Sequence, residues 1–261
     1  MAKKGLLVVI EGLDGSGKGT QLELLKNYLE KEGIHGNRSQ IELFSEQYDE
    51  VYSKNMQVNI LKEFLKEGKK EFEIYDFPRY YDNYWGKMVG RMLAGDFGVK
   101  LNPYLKSMFF LLDQADGSKQ IKKDLAQGKV VICNRFITSS YIFQKALIRT
   151  RKDKEAYQAW LEKTGYEELG IARPDVVIAL YVKPEVAQEL ILKKESRAYL
   201  TKAAKDLNER NLKMQIRAGF EMRRLCRFNK KWHLINCMDG KRLLTKEEVA
   251  LKIRKLIESY L

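Results

Sequence analysis

Apolar positions along this chain follow two rhythms. Leu6-Leu7-Val8-Val9-Ile10 is a short, unbroken, largely β-branched run. Such a run has no polar face, so it fits a strand covered on both sides, as the strands of parallel sheets are. The same signature recurs at residues 128–133, at 175–182 and at 232–236, and a further strand is expected over 72–77, ending at Pro78. Between these runs the spacing becomes helical. Leu22, Leu24, Leu25 and Leu29 mark a helix over residues 20–31. Similar spacing predicts helices over about 102–127, 184–195, 202–228 and 245–260.

Strands alternating with helices predict an α/β fold, a five-stranded parallel sheet with helices on both faces. No internal repeat and no linker-like stretch appears, so residues 1–261 are expected to form one domain. Residues 35–71 are longer than a crossover needs. This stretch is expected to be an inserted surface segment with a helix over residues 56–66.

Composition narrows the partners. Lysine and arginine number 48 against 35 aspartates and glutamates, a net charge of +13. An excess of that size favours anionic partners, whether nucleic acid or phosphorylated small molecules. The basic residues are spread through helical blocks with no compact arginine-rich run and no nucleic-acid motif, so no nucleic-acid partner is expected. An apolar fraction of 44%, with 4 prolines and 18 glycines, excludes a disordered or low-complexity chain. No apolar run approaches the roughly 20 residues that cross a bilayer, so no membrane partner is expected. Cys133, Cys226 and Cys237 lack metal-ligand spacing and fit reduced thiols in a cytoplasmic protein.

The strongest chemical signal is Gly12-Leu13-Asp14-Gly15-Ser16-Gly17-Lys18-Gly19-Thr20, set between the first strand and the first helix. Two glycines with four residues between them, followed by lysine, form a phosphate-binding loop in that setting. The glycines let backbone N–H groups turn inward on phosphate oxygens. Lys18 adds a point charge, and the helix adds the positive end of its dipole. All nine residues, Gly12 to Thr20, are therefore expected to bind ATP. Gly19 stands where a serine or threonine usually holds magnesium, so Thr20, one step on, and Asp14 are the nearest candidates for that ion. Adenylate kinases show the same Gly-Lys-Gly-Thr order.

On four stretches, the first of which contains this loop, the sequence resembles the thymidylate kinases over nearly its whole length, apart from residues 35–71. These stretches are Glu11 to Gln21, Phe77-Pro78-Arg79-Tyr80, Phe109 to Gln114, and Val131 to Phe136 with Ser139 to Gln144. The resemblance implies a P-loop three-layer sandwich with a helical lid, here at about 193–217. It implies transfer of the γ-phosphoryl group of ATP, with Mg2+, to a pyrimidine deoxynucleoside monophosphate, dTMP becoming dTDP. Lys18, Arg135 and, in the lid, Arg197 are the catalytic residues it implies. Asp14, Arg79, Tyr80, Phe110, Gln114, Arg135, Ser139, Ser140 and Phe143 are the substrate-binding ones. Asp206 and Glu209, a helical turn apart in the lid, join Asp14 and Thr20 as metal candidates. The resemblance also implies a homodimer.

Three positions depart from the family pattern: Asn134 replaces an aspartate, Phe136 a tyrosine or histidine, and Gln114 an arginine that bonds thymine. Gln114 leaves base preference open, since an amide both donates and accepts. Two alternatives stand beside the leading one. The first is a monophosphate kinase of different base preference. The second is a non-catalytic nucleotide-binding protein associated with nucleic acid.

Overall fold

A computed structural model describes residues 5–31, 36–38, 71–98, 101–195 and 212–258. The expected helix at 56–66, nearly all of the 35–71 segment and residues 196–211 of the expected lid lie outside the described residues. So do residues 202–211 of the helix expected over 202–228.

The first half of the chain runs β1 (Leu6–Gly12), α1 (Lys18–Lys31), β2 (Gly36–Arg38), β3 (Phe72–Asp76), α2 (Tyr84–Ala94), α3 (Pro103–Ala126) and β4 (Val130–Asn134). There follow α4 (Thr138–Ala146), α5 (Arg151–Glu162), a π-helical turn (Lys163–Glu168), β5 (Val176–Tyr181), α6 (Pro184–Glu195) and α7 (Leu212–Phe228). The chain closes with β6 (Trp232–Asn236), β7 (Met238–Asp239), β8 (Arg242–Leu243) and α8 (Lys246–Glu258).

The five strands expected from the sequence stand side by side, all parallel, in the order β3-β4-β1-β5-β6. β2, three residues long, extends the sheet beyond β3. β7 and β8 form a separate antiparallel pair. Side chains alternate across the sheet as the pleat requires. Leu7, Val9, Val131, Cys133, Val177 and Ala179 enter one core with α3, α4, α5 and α7. Val8, Ile10, Ile74, Ile132, Ile178 and Leu180 enter the other, with Leu22 of α1 and Val249 and Ile253 of α8. Both faces are apolar, so the strands read as unbroken hydrophobic runs. Each buried Leu, Ile or Val side chain contributes about 1.5–3 kcal/mol.

Three helices carry weak signals. α4 is buried along almost its whole length, so no polar face marks a period. α5 passes into the π-helical turn, where the 3.6-residue spacing breaks. α2 contains Gly86 and Gly90, which lower helix propensity. Packing explains Gly86. A Cβ there would stand 1.8 Å from the Arg79 carbonyl oxygen, and the Gly86 N–H is held by its N-cap, Asn83 Oδ1, at 2.6 Å.

α3 begins on an Asn102 cap with Pro103 in its first turn. Its inner face is unusually polar. Asp124 accepts from the Tyr75 hydroxyl at 2.5 Å, Asp113 from Arg79, and Ser118 from the Ala172 N–H at 3.1 Å. Asp124, Asp113 and Ser118 thus have the partners that burial demands.

Gly86→Ala tests the close approach of α2 to the chain after β3. Alanine normally favours a helix over glycine; here the substitution is expected to destabilise by about 1–3 kcal/mol. The midpoint of urea unfolding, read by circular dichroism, checks it.

Candidate active site

The site forms at the carboxyl ends of β1, β3 and β4, where parallel sheets open a crevice. β1 ends at Gly12 and the loop turns into α1 through Gly15 (φ 76°) and Gly17 (φ 86°). Both lie in the left-handed region that glycine enters at no steric cost. The Lys18 ammonium folds over the loop, donating to the Gly12 carbonyl at 3.0 Å and the Leu13 carbonyl at 2.8 Å. Leu13 is fully buried and anchors the loop to the core.

Arg135 follows β4 with φ 62°. A non-glycine residue in that region costs about 1–3 kcal/mol and persists only where its surroundings hold it. The Arg135 N–H donates to the Ile10 carbonyl at 3.0 Å. The guanidinium pairs with Asp14 Oδ1 and lies 5.1 Å from the centre of the Phe143 ring. The other oxygen of Asp14 accepts from Gln215 Nε2 at 2.7 Å. Burial alone would push the Asp14 carboxyl up, but Arg135 and Lys18 hold it below the usual range.

Beneath these groups lies Glu11, fully buried. Its carboxylate accepts from Thr138 Oγ1 at 2.6 Å, from Ser139 Oγ at 2.9 and 3.0 Å, and from the Phe136 N–H at 3.3 Å. It thus satisfies donors at the start of α4, where the helix dipole favours negative charge. Burial pushes its carboxyl up, against the pull of Arg135, the two hydroxyls and Lys18.

A cleft opens beside Asp14 and Arg135. Tyr80, Phe110, Gln114, Ser139, Ser140 and Phe143 line it, as do Phe136 and Gln144. Eight of the nine substrate-binding residues expected from the sequence therefore meet at one place. Arg79 does not. Its guanidinium donates to Asp113 Oδ1 at 3.0 Å and to Asp116 Oδ2 at 2.8 Å, clamping the chain after β3 onto α3. Phe110 is half-buried and lines the cleft. Gln114 Oε1 is buried and has no hydrogen-bond partner among the described residues.

Of the metal candidates, Thr20 is exposed on the first turn of α1. Asp14 has one oxygen on Arg135 and the other on Gln215. Asp206 and Glu209 lie outside the described residues, and so does Arg197.

Sequence reasoning missed Glu11 and Gln215 as site residues. A charged residue ending an apolar strand is a signal that could have found Glu11, since such a group must be paired once buried. Nothing local marks Gln215, which reaches Asp14 from 201 positions away.

Comparison with known proteins points to one family. The thymidylate kinase family model matches residues 53–247. Thymidylate kinase of Mycobacterium tuberculosis is 26% identical over 217 residues, covering 82% of each chain. Thymidylate kinase of Caenorhabditis elegans is 25% identical over 187 residues, 72% of this chain and 67% of that one. Among solved structures, thymidylate kinase from Candida albicans superposes with a TM-score of 0.61 at 18% identity, covering 98% of this chain and 92% of the other. That similarity shows the fold; the work describing it concerns the origin of broad substrate specificity and a novel structural element. No helix among the described residues is long and apolar enough to cross a membrane.

The Asp14 pair has a definite pH signature. A carboxyl held below its ordinary value of 3.8 stabilises the fold above that pH and loses the contribution as pH falls through the depressed value. The stability gap between the wild type and Asp14→Asn, measured by urea unfolding, is therefore expected to be full at neutral pH and to shrink below 3.8. A gap independent of pH removes the pair from the account.

Proposed function

The chain belongs to the thymidylate kinase family, and we propose how its cleft performs that family's reaction. The protein is an enzyme that moves the γ-phosphoryl group of ATP to dTMP, giving dTDP and ADP. The observation that carries the mechanism is the contact between Asp14 and Arg135. It joins the loop that holds the donor to the residue that grips the acceptor.

In this reading the Gly12–Thr20 loop wraps the ATP phosphates with backbone N–H groups, and Lys18 swings onto the outer ones. Arg135 clasps the dTMP phosphate with two parallel N–H donors, a geometry its fork suits. Tyr80 and Ser139 border the same phosphate. The acceptor needs no strong base, because a phosphate monoester with a second pKa of about 6 is already largely ionised at neutral pH. Catalysis then rests on alignment of the attacking oxygen and on charge neutralisation, with water kept out. Arg197 is assigned the part of an arginine finger supplied from within the chain.

At the far end of the cleft Phe110 stacks on the base. Gln114 presents an amide to its edge: Oε1 accepts the N3–H of thymine and Nε2 donates to O4. The partnerless buried Oε1 supports this assignment. Phe143 and Ser140 border the sugar and base, where an aromatic ring against C2′ disfavours a ribose hydroxyl.

Magnesium accompanies ATP in this reading. Mg2+ takes oxygen ligands, keeps several waters and needs only one or two protein groups besides the phosphates. Thr20 Oγ1 and the buried, partnerless Asn134 Oδ1 are hard oxygen donors of that kind, and Asp206 and Glu209 are retained as candidates from the lid. When bound, the ion neutralises charge on the β- and γ-phosphate oxygens. The reading extends to a cytoplasmic homodimer. Three unpaired cysteines suit a reducing compartment, and Tyr84 and Leu105, exposed on α2 and α3, suit a helix contact with a second copy.

A panel of nucleoside monophosphates with ATP, followed by coupled ADP release, is expected to show turnover of dTMP. Inert dTMP and dUMP with active AMP or CMP would overturn the base assignment. Arg135→Ala is expected to raise the KM for dTMP and to lower kcat by about 100- to 1,000-fold, as loss of a transition-state charge partner does. Unaltered acceptor kinetics would remove Arg135 from the site. Gln114→Arg replaces an amphoteric amide by a pure donor. The ratio of kcat/KM for dTMP over dCMP is expected to rise by roughly tenfold or more, and an unchanged ratio would place Gln114 outside base recognition.

A further inference from the structure

A second cavity, of about 520 Å3, opens between α5 and α7 and shares no lining residue with the cleft. Four basic side chains line it: Arg149 in the turn before α5, Arg151 and Lys154 on α5, and Arg224 on α7. The acid among them is Glu221, 2% exposed, whose Oε1 accepts from Lys154 Nζ at 2.5 Å. That bond ties α5 to α7 and cancels one charge of each sign, leaving the three guanidinium groups. Arg224 Nη1 stands 3.8 Å from Glu221 Oε2, beyond hydrogen-bond reach. Arg151 meets Glu155 through Nε alone, at 2.8 Å, in an exposed pair. Such pairs are weak, so its terminal nitrogens stay open to another partner. Arg149 has no carboxylate partner among the described residues.

The rest of the lining is aromatic. Phe220, Arg224 and Phe228 follow at four-residue steps and form one stripe on α7. Phe220 is 59% and Phe228 75% exposed, so two large rings stand in water beside the cations. Arg227 lies 5.6 Å from the centre of the Phe228 ring. Phe220 has neither a ring nor a cation against it among the described residues. Gathered like charges repel, and bare rings forgo burial. One kind of ligand relieves both: it is polyanionic at one end and flat and aromatic at the other. Guanidinium forks take phosphate oxygens in pairs. An aromatic face accepts any nucleobase. The volume falls in the range of about 300–1,000 Å3 that small-molecule pockets occupy, which suits a single nucleotide better than a strand.

We infer that this cavity is a second nucleotide site. It takes a nucleoside triphosphate, with the phosphates on Arg149, Arg151 and Arg224 and the base on Phe220. α7 connects it to the cleft, because Gln215, one helical turn before Phe220 and slightly more, bonds Asp14. The inference stands apart from the phosphoryl-transfer reading, in which none of these side chains takes part.

Iododeoxyuridine triphosphate is the probe, because near-ultraviolet light couples an iodouracil to an aromatic ring stacked against it. Irradiated with the full chain and mapped by peptide mass spectrometry, it is expected to label Phe220. Labelling of this one peptide reports the second site whatever the cleft binds. In Arg149→Glu the concentration for half-maximal labelling is expected to rise about 10- to 100-fold, as loss of a charged hydrogen-bond partner does. Turnover of dTMP by that variant is expected to stay within about twofold of wild type, since Arg149 lies outside the cleft. Unlabelled dTTP and ATP are expected to compete alike. Inorganic triphosphate, lacking a base to stack, is expected to compete about 5- to 100-fold more weakly. Absence of label from α7 overturns the inference, as does unchanged half-saturation in Arg149→Glu. Inorganic triphosphate competing as well as dTTP reduces the cavity to an anion site and overturns the nucleotide. A single-stranded oligothymidylate competing more tightly than dTTP assigns it to nucleic acid and overturns the nucleotide as well. Failure of the kinase reading would show separately, as no turnover of dTMP by the wild type.

Discussion

A single ion pair, Asp14 with Arg135, holds the working parts of this protein in relation to one another. Asp14 belongs to a flexible glycine turn and Arg135 to a strained position after β4. Neither would keep its place alone. The left-handed backbone at Arg135 costs energy that an ordinary loop would relieve by rearranging. Here the Ile10 carbonyl, the Asp14 carboxylate and the Phe143 ring all hold the residue from different sides. The strain is therefore part of how the guanidinium is aimed.

Buried carboxylates underlie the same design. Glu11 ties the end of β1 to the start of α4, and so sets Ser139 beside Arg135. Asp113 does the like for the chain after β3, through Arg79. Asp124 fastens β3 and the turn before β4 through Tyr75 and Lys129. Burial raises the cost of each charge, and each is met by several donors. Glu11 and Asp113 thus place polar groups at the carboxyl edge of an apolar sheet, while Asp124 meets Lys129 at its amino edge.

Much of this was legible in the sequence. The five long strands show themselves because both their faces are buried, and the glycine loop because its chemistry depends on local spacing. The cleft residues were found through motifs, and Tyr80, Phe110, Gln114, Ser139, Ser140 and Phe143 do gather. What was not legible depends on long-range partners or on burial that hides periodicity. Arg79 looked like a phosphate ligand until Asp113 and Asp116, 34 and 37 positions away, claimed its guanidinium. The bond from Gln215 to Asp14 spans 201 positions, so no local spacing announces it. α4 was hidden because it has no wet face, and the π-helical turn because no repeat of side chains announces it.

The placement of Gln114 has a consequence for how this enzyme can change. It sits on α3, a 24-residue rod, next to Asp113, whose bonds to Arg79 belong to the scaffold and not to the ligand. In the proposed reading the group that meets the base is thus mounted on rigid framework, while its neighbour in sequence keeps the mounting in register. Exchange of one side chain can then retune which nucleobase is accepted without disturbing the machinery that moves phosphate. In evolutionary terms, the substrate vocabulary of this fold and its chemistry can drift independently, because they are written on different pieces of backbone.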